Sequence, residues 1–263
     1  APLEVQEPPQ AIRVCLRSQP GSDQFNFTVE SEITGDLSSG SASTGWQTHA
    51  LGEVTPLTAS PAPQTSEDSK AFEASCNKDV KVFNQADAAN AAEATESGSA
   101  VTKLDVFTFG PRWQTLQQVK IGEQQGLVTL QLPTVFNSDI DEYPLHPALL
   151  DGAMGALVSM YEGTYLPFEY KQLRYYAPLS TPLYSYIRAE EPATAKGNGS
   201  GEDAPSTLRF QVTLCDQHGN ILVEVEDYAL RRIDPSAAVS ALKASAKAKR
   251  ANAKSAKAKS FSL

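Results

Sequence analysis

The sequence predicts an α+β fold in which antiparallel strands wrap a single buried helix. Three observations carry this. Short β-rich segments alternate apolar and polar residues on both sides of one long apolar run, Ala148 to Met160. Turn signals such as Gln19-Pro20-Gly21-Ser22 and Asp216-Gln217-His218-Gly219-Asn220 separate neighbouring segments by hairpin lengths. No second apolar run of helical length accompanies the first.

In chain order, Ala11 to Leu16 and Phe25 to Val29 form a hairpin, and Trp46 to Val54 adds a third strand after the Gly/Ser-rich loop 35–45. His49 reads as a polar residue on a half-exposed strand. From Thr55 to about residue 103 hydrophobic periodicity fades into Ala, Ser, Glu, Thr, Asn and Pro. Such a stretch buries too little apolar surface to offset chain entropy, so residues 55–103 are expected to be a disordered linker with at most a short ordered piece near Val80 to Phe83. Order is expected again from Leu104, with strands around 117–122 and 126–132. Pro144 and Pro147 hold the next segment extended, and the helix follows. Gly152 and Gly155 permit close backbone approach within it. Asp151 is placed in the helix's first turn, where free N–H groups and the dipole favour carboxylate. Beyond it, Tyr165 to Tyr170, Leu173 to Tyr176, Leu183 to Arg188, Thr207 to Cys215 and Ile221 to Leu230 read as strands, and His218 sits in an exposed turn. The predicted organisation is therefore 1–54, linker 55–103, main unit 104–235, and an Ala/Lys-rich tail 236–263.

Composition narrows function. The formal charge is −9, and the tail contributes six Lys, one Arg and no acid, so taking away its +7 leaves −16 for residues 1–235. An acidic body argues against nucleic acid as a partner. No stretch reaches the roughly 18 apolar residues of a membrane span, and the N-terminal residues lack signal-peptide character, so no membrane partner and a cytoplasmic location are expected. Three scattered cysteines suggest free thiols rather than disulfides or zinc. The chain has no G-x-S-x-G elbow, P-loop, dinucleotide fingerprint or His/Cys pair at metal spacing. Asp139, Asp141 and Glu142 read as solvated turn charges.

Three motifs stand in order: Phe109-Gly110-Pro111-Arg112-Trp113, His146-Pro147-Ala148-Leu149-Leu150-Asp151, and Leu166-Pro167-Phe168-Glu169-Tyr170. Together they resemble the dehydratase domain of modular polyketide synthases and animal-type fatty acid synthases, over residues 1–54 and 104–235. The resemblance implies a double hotdog fold with an incomplete first unit. It implies loss of water from a β-hydroxyacyl thioester, the substrate arriving on the phosphopantetheine of an acyl carrier protein, with no other cofactor and no metal. Asp151 matches the family's proton donor. Phe109, Gly110, Pro111, His146, Pro147, Leu166, Pro167 and Phe168 match its substrate-binding motifs. Neighbouring synthase domains and a second copy, as a homodimer, are the further partners implied. Where the family has Gln or His four residues after the aspartate, this chain has Gly155, and Phe107 and Phe109 stand where tyrosines are frequent. The family's basic histidine lies in an H-x-x-x-G-x-x-x-x-P motif upstream of the matched region. The chain is thus expected to be an N-terminally truncated dehydratase, inactive alone. A non-dehydrating relative, an isomerase, cyclase or structural scaffold, is the alternative.

Overall fold

The computed structural model describes residues 11–33, 45–57, 69–82, 110–190 and 205–234. Phe107, Phe109, the glycine-rich loops and the basic tail fall outside these residues. The chain divides into two compact units, residues 1–60 and 61–263.

The first unit is a three-stranded antiparallel sheet in the order β1 (Ile12–Ser18), β2 (Phe25–Ile33), β3 (Gly45–Val54). The hairpin expected from Pro20-Gly21 is present, and Gly21 takes the positive φ of 77° that the turn requires. Register places Ile12 opposite Ser31, Val14 opposite Val29 and Leu16 opposite Phe27, with Phe25 facing Val54 on the other side of β2. One face of the sheet is therefore largely apolar. On the opposite face Arg13 pairs with Glu30 at 2.7 Å and its guanidinium lies 3.8 Å from the Trp46 ring centroid. His49 is where β3 shifts register, and its Nε2 lies 2.7 Å from the buried Ser31 hydroxyl. Its half-exposed position on the strand is as expected.

The second unit begins inside the stretch expected to be a linker: the short ordered piece expected near Val80 to Phe83 is present as far as Val82, Phe83 lying outside the described residues, and the helix before it is the correction. Residues Ser69–Ser75 form a helix, α1, and Asp79–Val82 a strand, β4, which pairs with β5 (Leu116–Ile121). Few side chains suffice. Phe72 and Cys76 are buried against Leu127, Phe72 meets Tyr186 edge-on at 5.1 Å, and Lys120 holds Glu73 at 2.5 Å. Two anchors leave almost no periodic signature in sequence, which is why composition misread the helix.

The rest of the unit is β6 (Gln125–Leu130), a one-turn helix α2 (Asp139–Glu142), helix α3 (Pro147–Gly155) continued by a 3₁₀ segment (Ala156–Met160), then β7 (Thr164–Tyr175), β8 (Leu183–Ala189), β9 (Thr207–Cys215) and β10 (Ile221–Ile233). The seven strands run in the order β4-β5-β6-β8-β9-β10-β7, all neighbours antiparallel. The α+β class and the sheet around a helix are as expected. The two short strands expected at 165–170 and 173–176 are one continuous β7. It ends the sheet, and at an edge Pro167 can be accommodated; Phe168 is bulged out opposite Ala229/Leu230.

The helix is shorter than its apolar run, nine residues of α before tightening to 3₁₀. Ala148, Leu149 and Ala153 are fully buried, with Leu130, Leu132, Leu183, Ile187 and Phe210 in the same core. Two glycines let helix and sheet meet. A Cβ on Gly152 would stand 2.8 Å from Leu130 Cδ2, and one on Gly126 would run into the Leu157 side chain. Ser185, buried on β8, donates to the Ala153 carbonyl at 2.8 Å and ties the helix to the sheet's centre.

Candidate active site

The site is built where α3 begins. His146 is the N-cap residue with extended backbone, Pro147 occupies the first helical position, and the Leu150 N–H bonds the His146 carbonyl at 3.0 Å. Proline suits that position because its missing N–H would have no intrahelical partner. Counting from Pro147, Asp151 is the fifth helical residue. The expectation that it lies in the first turn is thus corrected: no acidic residue occupies that turn. The free N–H groups of a helix start lie among its first residues, so they do not stabilise this carboxylate.

What Asp151 does have is a tryptophan. The indole Nε1–H of Trp113 donates to Asp151 Oδ2 at 3.0 Å. Trp113 ends a 3₁₀ turn, Pro111–Trp113, that follows Gly110. Asp151 is exposed to solvent, yet the surrounding protein removes part of its water. That desolvation pushes its pKa above the ordinary aspartate value, while the indole hydrogen bond pulls it part of the way back. The Asp151 charge in turn helps burial push up the pKa of Tyr228 on β10.

A second contact fastens the same turn. Arg112 donates to Asp139 Oδ2 at 2.6 Å and its guanidinium lies 4.3 Å from the Phe136 ring centroid. Arg112, with a further contribution from His146, holds the Asp139 carboxyl below the usual range. The three acids read as solvated turn charges are therefore not alike: Asp139 is partly buried and ion-paired. His146 is 2% exposed, with Nε2 3.7 Å from Asp139 Oδ2 and its ring edge-on to Tyr143 at 6.0 Å. Its imidazole thus faces the Arg112–Asp139 pair and braces the helix start.

The residues expected to bind substrate are distributed as follows. Gly110 and Pro111 are exposed beside Trp113, and His146 and Pro147 open the helix that carries Asp151; Pro147 is exposed. Leu166, Pro167 and Phe168 lie on the edge strand β7, half-buried, exposed and exposed in turn, with Arg231 3.7 Å over the Phe168 ring. Phe109 falls outside the described residues. Gly155 does not serve close packing as expected, since a Cβ there would meet nothing within 4 Å. Trp113 and the Arg112–Asp139 pair were missed as parts of the site. The only sequence sign was an N–H-bearing aromatic at the end of the Gly-Pro turn.

An antiparallel sheet wrapped on a helix, with a desolvated acid in that helix, defines a hotdog-fold domain. Residues 85–238 match the family described as polyketide synthase dehydratase N-terminal domain, and the chain belongs to the polyketide synthase dehydratase family. It is similar to polyketide synthase PksM of Bacillus subtilis (strain 168), 24% identical over 136 residues, which is 48% of this chain and 3% of that synthase. The chain therefore spans a small fraction of the curated relatives it matches. Among solved structures it resembles a trans-AT polyketide synthase dehydratase domain from Brevibacillus brevis, with TM-score 0.64, 20% identity, and 89% and 73% of the two chains covered. It also resembles an inactive Asp-to-Asn mutant of the CurK dehydratase, with TM-score 0.58, 18% identity, and 85% and 69% covered. These likenesses establish the double hotdog fold, of which the first unit contributes three strands among the described residues. No described helix is long and apolar enough to cross a membrane.

Proposed function

We propose that this chain supplies the acid half of a dehydratase that removes water from a β-hydroxyacyl thioester carried on an acyl carrier protein. The observation that carries the reading is Asp151, a solvent-accessible carboxyl group on α3, held by the Trp113 indole and with its pKa raised by desolvation. A raised pKa moves the carboxyl toward its protonated form, which is the form a proton donor to a poor leaving group needs. In the proposed step a base takes the α-proton, its electron pair forms the α,β double bond, and the C–O bond breaks. The departing hydroxyl takes the proton of Asp151 and leaves as water, so the reaction is redox-neutral. Asp151 is left as carboxylate, and proton transfer from the base through solvent restores it.

The base comes from outside this chain on this reading, because none of the three histidines stands in the family's H-x-x-x-G-x-x-x-x-P pattern. His49 bonds Ser31, His146 faces Asp139, and His218 lies in the exposed turn between β9 and β10. The chain alone is then expected to be inactive. The tethered substrate makes the acyl carrier protein and neighbouring synthase domains its partners, with no metal and no cofactor beyond the carrier's own phosphopantetheine; a homodimer through the dehydratase domain and a cytoplasmic setting complete the reading. That an Asp-to-Asn change is described as inactivating the CurK dehydratase supports the role given to Asp151.

The test is Asp151→Asn in the intact synthase, assayed on a carrier-bound β-hydroxyacyl thioester. Enoyl product should fall by about 10²–10⁴-fold, the usual share of general acid catalysis. Undiminished product would overturn the assignment and favour an isomerase, cyclase or scaffold role.

A further inference from the structure

Asp151 has two oxygens, and the structure treats them differently. Oδ2 accepts the Trp113 indole N–H at 3.0 Å. An indole N–H only donates and never accepts, so it cannot share a hydrogen bond with a proton placed between it and that oxygen. The turn that holds the indole is itself fixed, through Arg112 on Asp139 at 2.6 Å and Asp139 in turn beside the buried His146. The turn is thus joined to α3 directly, by Trp113 on Asp151, and indirectly, by Arg112 through Asp139 to the N-cap residue.

The helix position one turn beyond Asp151 is differently furnished. Gly155 follows Asp151 by four residues, a spacing that sets side chains side by side on one helix face. Its backbone is right-handed helical, φ −94° and ψ −13°, and the space where a Cβ would project is empty to 4 Å. A glutamine there would meet neither backbone strain nor a clash at Cβ, and the i, i+4 spacing would set it beside Asp151.

We infer that Trp113 is the positioning residue of the acid: its indole N–H holds Oδ2, so the transferable proton resides on Oδ1, a task the helix itself leaves vacant at position 155. This rests on Asp151 being the proton donor, yet it can be tested separately. It accounts for Trp rather than Phe at the end of the Gly-Pro turn, since only Trp brings an N–H to the same aromatic position. It also predicts that the site tolerates transfer of that task from the turn to the helix.

The experiment is an ¹⁵N–¹H titration of this 263-residue chain. It has two tryptophans, Trp46 and Trp113, so the Trp113→Phe spectrum assigns the indole signal by loss. The Trp113 indole N–H is expected to shift with pH at the same midpoint as the Asp151 side-chain carboxyl carbon, and Asp151→Asn should make it flat through that range. Trp113→Phe should move the Asp151 midpoint upward, because a hydrogen bond that favours the carboxylate is gone. In the Trp113→Phe background, Gly155→Gln should bring the midpoint back down. In the intact synthase Trp113→Phe should lower kcat about tenfold or more, the size of one hydrogen bond to a charged group, with KM little changed and the alkaline limb moved to higher pH. An indole signal that ignores Asp151, or an Asp151 midpoint unmoved by Trp113→Phe, overturns the inference. Those outcomes leave the acid role intact, whereas full turnover by Asp151→Asn removes the acid role while leaving the hydrogen bond in place. Where Trp113→Phe folds poorly, Trp46→Phe assigns the remaining indole signal to Trp113 and the wild-type and Asp151→Asn titrations decide the matter.

Discussion

The sheet of residues 12–54 and the sheet of residues 79–233 are written in the same period-two alternation, but the alternation ends differently. In the second unit the inward positions Val128, Leu130, Leu183, Ile187, Val212 and Leu214 are at most 1% exposed, because α3 and its 3₁₀ extension lie against them. In the first unit the matching positions Ile12, Val14 and Leu16 are 53%, 65% and 64% exposed. Alternation states which face of a strand is apolar. It does not state whether anything covers that face, and coverage is where the hydrophobic free energy comes from.

This contrast can be broken or sharpened by substitution. The largest effect is expected for Leu149→Ala, which empties a fully buried site between helix and sheet and should cost ~2–5 kcal/mol in urea denaturation followed on the second unit. Gly152→Ala comes next, at ~1–3 kcal/mol, because its methyl must displace Leu130 Cδ2 and Thr115 Oγ1, both within 3 Å of it. Val14→Thr in the first unit should fall within about 0.5 kcal/mol. A cost for Val14→Thr approaching that of Leu149→Ala would show that the first sheet's apolar face is covered in solution, and the contrast would fail.

Two carboxyls within the second unit give opposite pH signatures. Asp139, held below its ordinary value by Arg112, contributes stability that is present above the unfolded value of about 3.9 and lost as pH falls through its lowered folded value. Asp151 is raised by desolvation, so its contribution is present below about 3.9 and lost as pH rises through the raised value. Asp151→Asn, which cannot ionise, should therefore raise the melting temperature relative to the native chain at neutral pH and gain nothing at acid pH. Asp139→Asn should lower it at neutral pH. Melting curves across pH check both, and a neutral Asp151→Asn chain no more stable than the native one would mean the carboxylate is well solvated.

Much of the fold was legible because its determinants are local. The hairpin at Pro20-Gly21, the strand pair around Gly122 to Gln125, the turn at Asp216 to Asn220 and the helix entry at Pro147 each depend on residues within a few positions of one another. The misreadings share the opposite cause. Helix α1 holds by Phe72 and Cys76 packed on Leu127, some fifty positions on, in a segment whose composition suggests no core. Asp139 looked solvated because its partner Arg112 is 27 residues away, and Trp113 showed no site role because Asp151 is 38 residues away.

By itself, the sequence determined the alternation, the helix with its proline-led start, the acid it carries and the family-specific order of three motifs, since these are properties of neighbouring residues and of spacing. Only the tertiary structure decided that Asp151 lies beyond the helix's free N–H groups, that an indole rather than a residue on its own helix holds it, and that position 155 stands open. Those facts depend on which side chains meet when the turn 111–113 packs on α3, and a desolvated carboxyl with one chosen oxygen arises from that meeting.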